Sequence, residues 1–85
     1  MTRIAYVNGA YVRTAEAGVS IEDRGFQLAD GVYEVCEIRH GCIVDRTRHL
    51  DRLDRSMSAI RVPQPMSRKA LVAIIRQVIR RNHVK

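Results

Sequence analysis

Residues 4–13 decide how the fold begins, and they read IAYVNGAYVR. Two short runs rich in β-forming residues, 4–7 and 10–13, flank the dipeptide Asn8-Gly9. Asn-Gly supplies the two positive φ angles that a type I′ turn requires, and it is the strongest short-range hairpin signal. The sequence therefore predicts an antiparallel β-hairpin over residues 4–13.

The next segment changes from turn-forming to β-forming residues. Residues 18–30 are predicted to be irregular, because Asp23, Gly25 and the pair Asp30-Gly31 favour turns. Residues 32–38 are β-like, His40-Gly41 interrupts them, and residues 42–44 resume the pattern. A second hairpin is expected here.

The second half of the chain has the period of a helix. Leu50, Leu53, Met57 and Ile60 share one stripe of a helix expected from about Thr47 to Arg61. Thr47 is the predicted N-cap of this helix. Asp51 and Arg55 have the spacing of a favourable i,i+4 ion pair.

A second helix is expected after Pro63 and Pro65, with Ser67 as its N-cap. Its apolar face consists of Ala70, Leu71, Ile74, Ile75, Val78 and Ile79. The predicted fold class is α+β, a single small domain over residues 1–85 in which two α-helices cover a small antiparallel β-sheet of hairpins.

Composition excludes several classes of protein. The 85 residues are 46% hydrophobic and 28% charged, without the long apolar run of a membrane span. The N-terminus lacks the apolar core of a secretory signal, so a cytoplasmic location is expected. Two cysteines do not make a disulfide framework, and three dispersed histidines predict no metal site.

Charge is distributed unevenly along the chain. Residues 1–45 carry four Lys/Arg and seven Asp/Glu, whereas residues 46–85 carry eleven and two. This asymmetry raises nucleic-acid binding as a hypothesis. The cations are spread around both predicted helices, however, and no aromatic residue lies among them to stack on bases. We therefore expect neither a nucleic-acid nor a membrane partner.

One carboxylate lies on an apolar strand face. In a strand, Glu34 shares a face with Val32, Cys36 and Ile38, while Tyr33 and Val35 point the other way. A lone carboxylate on such a face is costly unless it is paired. Glu34 is therefore either a structural partner of one of the arginines or part of a functional site, and the pattern leaves both readings open.

A second group of polar residues borders the apolar stripe of the first predicted helix. On a helical wheel, His49, Arg52 and Ser56 fall together along that border. An arginine in this position could bind a phosphate in bidentate fashion. It could equally cover apolar surface with its stem.

Two motifs at their mutual spacing resemble a known family. Residues 22–35 read EDRGFQLADGVYEV and residues 48–53 read RHLDRL. The chain resembles the N-terminal part of class IV (fold-type IV) aminotransferases, and most closely D-amino acid aminotransferases. Leu28 and Ala29 depart from the family, which often has an aromatic residue and a glycine before the Asp-Gly pair.

The resemblance implies a role for each residue of these motifs. It implies that Tyr33 binds the substrate carboxylate and that Arg52, supported by His49, binds the phosphate of pyridoxal 5′-phosphate (PLP). Glu34 is expected to act behind them as an ion-paired residue. The expected reaction moves an amino group between an amino acid, in the D form by resemblance, and a 2-oxo acid.

The resemblance also implies that this chain is incomplete as an enzyme. The family's Schiff-base lysine lies in a larger C-terminal domain, and neither Lys69 nor Lys85 belongs to a family motif. We therefore expect the 85-residue chain alone to be inactive, and the complete enzyme to be a homodimer. Alternatives are a relative of branched-chain aminotransferases or aminodeoxychorismate lyases, and a non-catalytic interaction or assembly module.

Overall fold

The computed structural model describes residues 2–85 and has the α+β composition that the sequence predicts. Two short hairpins alternate with three helices along the chain. The elements are β1 (Ile4–Val7), β2 (Ala10–Arg13), a 3₁₀ turn (Thr14–Glu16), α1 (Arg24–Leu28), β3 (Ile38–Arg39), β4 (Cys42–Ile43), α2 (Arg46–Ala59) and α3 (Arg68–Arg81).

The first hairpin is confirmed with the predicted boundaries. Strands β1 and β2 pair antiparallel, with Ile4 opposite Arg13 and Tyr6 opposite Tyr11. Asn8 and Gly9 have φ angles of 50° and 90°, the positive values that make this dipeptide suited to the turn. The rings of the two tyrosines meet edge to face, with their centroids 5.1 Å apart.

The second hairpin is shorter than predicted. Strands β3 and β4 pair over two residues each and form a separate sheet, so the expected single sheet is two independent hairpins. The predicted strand from Val32 is wrong for residues 32–37, which pair with no other strand among residues 2–85. Burial in this segment still alternates with a period of two, because Val32, Glu34 and Cys36 are half-buried and the residues between them are exposed.

A five-residue helix lies inside the segment predicted to be irregular. Asp23 caps α1, since its Oδ2 accepts a hydrogen bond from the backbone N–H of Phe26 at 3.1 Å. Ala29, with a φ of 55°, ends the helix in the left-handed conformation. An ion pair of 2.8 Å between Arg24 Nε and Asp30 Oδ2 then closes the loop ahead of Tyr33.

Helix α2 begins one residue before the predicted cap. Asp45 occupies the N-cap position, because its carbonyl accepts the first helical hydrogen bond from His49 N at 3.0 Å. Thr47 therefore lies within the first turn, and its prediction as N-cap is wrong. The predicted Asp51–Arg55 pair is also not formed, since Asp51 binds Arg68 of α3 at 2.8 Å.

Helix α3 begins as predicted at Ser67, whose Oγ accepts a hydrogen bond from Ala70 N at 3.1 Å. Its predicted apolar face is half-buried along its whole length. Arg68, in the first turn, binds both Asp51 and Asp54 and so ties the start of α3 to α2. Among residues 2–85, no helix is both long and apolar enough to span a bilayer.

The buried core is very small. Leu50 and Met57, both on the predicted stripe of α2, are the two buried apolar side chains in the described part of the chain, at 5% and 8% exposure. In contrast, the segment before and around Tyr33 exposes several large apolar side chains: Val19, Ile21, Phe26, Leu28, Tyr33 and Val35. Little apolar surface is therefore removed from water inside this domain.

Asn82 joins the end of α3 to the first strand. Its Oδ1 accepts from Ile4 N at 2.8 Å, and its Nδ2 donates to Ile4 O at 2.9 Å and to Val78 O at 2.7 Å. The side-chain amide thus pairs with Ile4, the first residue of β1, as one residue of a further strand would do. It also caps the C-terminal end of α3.

Asn82→Asp is expected to lower the free energy of unfolding by about 2 kcal/mol, because a carboxylate cannot donate to the two carbonyls that Nδ2 now serves. Urea denaturation of the 85-residue chain measures this loss. Asn8→Asp is the matched control, since Asp-Gly also suits a type I′ turn. Equal free energies of unfolding for the two variants would contradict the role given to Asn82.

Candidate functional site

Glu34 lies at the centre of a polar cluster between the extended segment and α2. Its Oε1 is 2.7 Å from His49 Nδ1 and accepts a hydrogen bond from Arg52 Nη2 at 2.6 Å. Arg52 Nε donates to both carboxylate oxygens, at 3.0 and 3.2 Å. One carboxylate therefore holds both side chains through a shared oxygen.

Local structure explains why these three residues meet. His49 and Arg52 are three residues apart in α2, so their side chains lie on neighbouring turns of one helix face. Exposure increases outward from the acid, with side-chain values of 12% for Glu34, 21% for His49 and 58% for Arg52. The carboxylate is thus sheltered, whereas the guanidinium reaches solvent.

The charges of the cluster stabilise one another. The hydrogen bonds from Arg52, and then from His49, lower the pKa of Glu34 from 4.5 to about 2. The same pairing raises the pKa of Arg52 further above its usual value. Glu34 is therefore ionised at neutral pH and acts only as a hydrogen-bond acceptor, so that His49 Nδ1 must carry the proton that it shares.

The low pKa of Glu34 predicts a definite pH dependence. The cluster should stabilise the folded chain fully above pH 4.5 and lose this contribution as the pH falls toward about 2, since the pKa is lowered on folding. In a carbon-13 NMR titration, the Glu34 carboxyl should have its midpoint near pH 2. Arg52→Ala should move that midpoint upward, and an unchanged midpoint would show that Arg52 is not the main cause.

A shallow polar depression of about 450 Å³ lies beside the cluster. Its lining combines three arginines and His49 with two carboxylates: Asp45, Arg48, His49, Asp51, Arg52 and Arg55. Cationic donors therefore outnumber acidic groups, and the depression suits an anion. Arg48 and Arg55 are not among the site residues predicted from the sequence, and only their spacing of four and three residues from Arg52 could have indicated that they line the same depression.

Tyr33 lies apart from this cluster. Burial alternates along residues 32–37, so Glu34 faces α2 while Tyr33, 84% exposed, is turned away from it. Ser56, which shares the helix border with His49 and Arg52, is half-buried in α2. The structure therefore brings together Glu34, His49 and Arg52, and separates Tyr33 from them.

Neither Cys36 nor a metal cluster forms a second centre among residues 2–85. Burial, reinforced by the negative charge of Glu34, raises the pKa of the Cys36 thiol, which disfavours the nucleophilic thiolate. Within residues 2–85, no group of three or more His, Cys, Asp or Glu is arranged to hold a metal ion.

The part of the chain that contains the Glu34–His49–Arg52 cluster also matches a known protein family. Residues 31–85, well over half of the chain, match the family described as amino-transferase class IV. The chain belongs to the class IV aminotransferases. The match includes all four residues to which the motifs assigned a role, namely Tyr33, Glu34, His49 and Arg52.

Several curated class IV relatives are similar over nearly the whole chain. A D-alanine aminotransferase of Listeria monocytogenes is 37% identical over 78 residues, which cover 92% of this chain and 27% of the relative. One from Staphylococcus haemolyticus is 32% identical over all 85 residues, or 30% of its own length. One from Staphylococcus aureus is 31% identical over 80 residues. The chain thus spans less than a third of the length of these relatives.

Proposed function

We propose that this chain is the N-terminal domain of a PLP-dependent aminotransferase that moves an amino group between a D-amino acid and a 2-oxo acid. The observation that carries the proposal is the Glu34–His49–Arg52 cluster beside a cation-rich depression. Membership of the class IV aminotransferases, with relatives named D-alanine aminotransferase, supports the same reaction. These names favour the D-amino acid branch over relatives of branched-chain aminotransferases or aminodeoxychorismate lyases.

The residues present fit the phosphate of PLP. Arg52 offers a half-exposed guanidinium that Glu34 already orders, and His49 lies beside it on the same helix face. Planar guanidinium groups bind phosphate through paired N–H donors. Bound PLP would supply the conjugated ring that stabilises a carbanion. Arg52 and His49 would hold its phosphate end.

Tyr33 is proposed to bind the substrate carboxylate. Its side chain is turned away from α2 and is 84% exposed, so the hydroxyl is free to donate a hydrogen bond to a ligand on that side of the segment. Glu34, the next residue, faces Arg52. A single extended segment would thereby support the cofactor phosphate on one side and the substrate on the other.

The Schiff-base lysine is proposed to come from a larger C-terminal domain. Lys69 lies in the first turn of α3 and Lys85 is the last residue, and neither lines the depression beside Arg52. The relatives are more than three times as long as the matched segment, which leaves room for such a domain. The proposal includes a homodimeric enzyme in the cytoplasm, and an 85-residue chain that is inactive alone.

A second candidate is a non-catalytic interaction module. It is favoured by the apolar side chains that remain exposed before and around Tyr33, among them Ile21 at 76% and Phe26 at 69%. Contiguous exposed apolar surface is typical of an interface. The aminotransferase explains the same surface, since a second domain or subunit would cover it.

An amino-transfer assay of the complete polypeptide separates these functions. With D-alanine and 2-oxoglutarate, the PLP-loaded polypeptide should produce pyruvate, and the 85-residue chain should not. Pyruvate from L-alanine alone would retain the aminotransferase and overturn the D specificity. No pyruvate from either enantiomer would overturn the reaction and favour the interaction module.

A further inference from the structure

We infer that Glu34 is the positioning residue of the phosphate site. It occupies the Nε–Nη2 edge of the Arg52 guanidinium, so that the adjacent Nη1–Nη2 end is presented to the phosphate. This inference rests on the proposed function, since it assigns a task to a residue behind the proposed phosphate ligand. Its basis is the division of hydrogen-bond donors within the cluster.

The donors of Arg52 are divided between two edges. A guanidinium has five N–H donors in a fixed plane. Glu34 takes the Nε–H and one N–H of Nη2, at 3.0 and 2.6 Å. No described residue accepts a hydrogen bond from Nη1, so its two N–H groups and the second N–H of Nη2 stay available. Nη1 and Nη2 form the end of the fork, which suits two phosphate oxygens.

The same carboxylate orients His49. Because Glu34 is only an acceptor, the imidazole donates through Nδ1 across 2.7 Å, and this bond restricts rotation of the ring. Nε2 then lies on the side of the ring away from the acid. Glu34 Oε1 is shared with Arg52 Nη2, so a single oxygen sets the orientation of both side chains.

Burial separates the positioning residue from the ligand. Glu34 is 12% exposed and Arg52 is 58% exposed, so the carboxylate lies behind the guanidinium. A half-exposed arginine without such a partner would lose side-chain freedom when it binds an anion, and that ordering costs free energy. Glu34 removes part of this cost, because two of its oxygens already fix the guanidinium plane.

A purely electrostatic role predicts the opposite effect of the same mutation. If Glu34 only neutralised Arg52, its removal would leave more positive charge near the phosphate and tighten binding. If it positions Arg52, its removal loosens the guanidinium and weakens binding. The sign of the change in PLP affinity therefore decides between the two roles.

The test compares Glu34→Gln with Glu37→Gln in the complete polypeptide. Glu37 is a matched control, since it also pairs with an arginine, Arg39, at 2.5 Å but is 57% exposed. Titration of the apoprotein with PLP, followed by absorbance, gives the dissociation constant without any measure of activity. Inorganic phosphate is titrated as a second probe that needs no lysine.

Glu34→Gln is expected to raise the dissociation constants of PLP and of phosphate about tenfold, whereas Glu37→Gln should leave both unchanged. Only Glu34→Gln loosens the guanidinium that binds the phosphate. In an Arg52→Ala background, Glu34→Gln should reduce the affinity for PLP by much less than tenfold, because Glu34 acts through Arg52. A general structural defect would instead give additive losses and would overturn the inference.

The outcomes also distinguish this inference from the proposed function. If the unmutated apoprotein fails to bind PLP, the proposed function is wrong, and the inference fails with it. A different result overturns only the positioning role. In it, the apoprotein binds PLP and Arg52→Ala weakens this binding, but Glu34→Gln binds PLP as tightly as Glu37→Gln does, or more tightly.

Discussion

Arg52→Ala in the complete polypeptide is expected to raise the dissociation constant of PLP about 100-fold, because it removes two charge-assisted hydrogen bonds to the phosphate. Alanine loses less side-chain freedom than arginine when PLP binds, but this gain is smaller than the loss of the two bonds. The variant also leaves the Glu34 carboxylate without its main partner, close to where an anion is expected to bind. Both effects act in the same direction. Titration of the apoprotein with PLP measures the change.

Arg76→Ala is the matched control for this prediction. Arg76 is exposed on α3 and does not line the depression beside Arg52, so the variant loses the same charge without losing a proposed ligand. PLP affinity should be unchanged in Arg76→Ala. If both variants weakened PLP equally, net charge alone would account for the loss, and the assignment of Arg52 to the phosphate would be wrong.

Leu50→Ala is expected to lower the free energy of unfolding of the 85-residue chain by about 3 kcal/mol, the usual cost of removing a buried leucine side chain. Leu50 is 5% exposed, and Met57 on the same stripe is 8% exposed. With so few buried side chains, the domain has little stability in reserve. Urea denaturation followed by circular dichroism should show a large shift of the unfolding midpoint.

Leu28→Ala removes the same atoms from an exposed position and serves as the control. Leu28 is 64% exposed, so little apolar area returns to water when it unfolds, and its free energy of unfolding should hardly change. A Leu50→Ala variant as stable as Leu28→Ala would show that the stripe of α2 does not form the core in solution.

Several parts of the fold that depend on local chemistry follow directly from the sequence, although the N-cap of α2 and the short helix α1 do not. Asn8-Gly9 sets the first hairpin, because the required φ angles belong to those two residues alone. Ser67 caps α3 because its hydroxyl reaches an amide only three residues away. The stripe that contains Leu50 and Met57 locates α2 and its buried face.

Two of the wrong predictions failed because the actual structure depends on residues distant in sequence. One concerns the pairing of a strand, and the other concerns an ion pair. Residues 32–37 have a strand-like pattern, yet a strand also needs a neighbour, and none of the described strands pairs with them. Asp51 has the spacing of an ion pair with Arg55, but it pairs instead with Arg68 of α3, which also binds Asp54. Neither outcome can be read from a single helix or strand.

The candidate site shows the same division. The helical period places His49 and Arg52 together, and the cost of a buried charge indicates that Glu34 needs a cation. Which of the thirteen arginines it meets depends on how the extended segment packs against α2. The role proposed for Tyr33 follows only from the family resemblance, because an exposed tyrosine has no geometric signature of its own.

The hydrogen bonds between Asn82 and Ile4 have a consequence for the timing of folding. A β-hairpin closes within about 1–10 µs. The partner of Ile4, however, is 78 residues further along the chain, and ribosomal synthesis at ~5–20 residues per second takes roughly 4–16 s to reach it. During that interval the edge of β1 has no Asn82 to cover it. The N–H and C=O of Ile4 are therefore open to pairing with another strand until Asn82, the residue after α3, has been added.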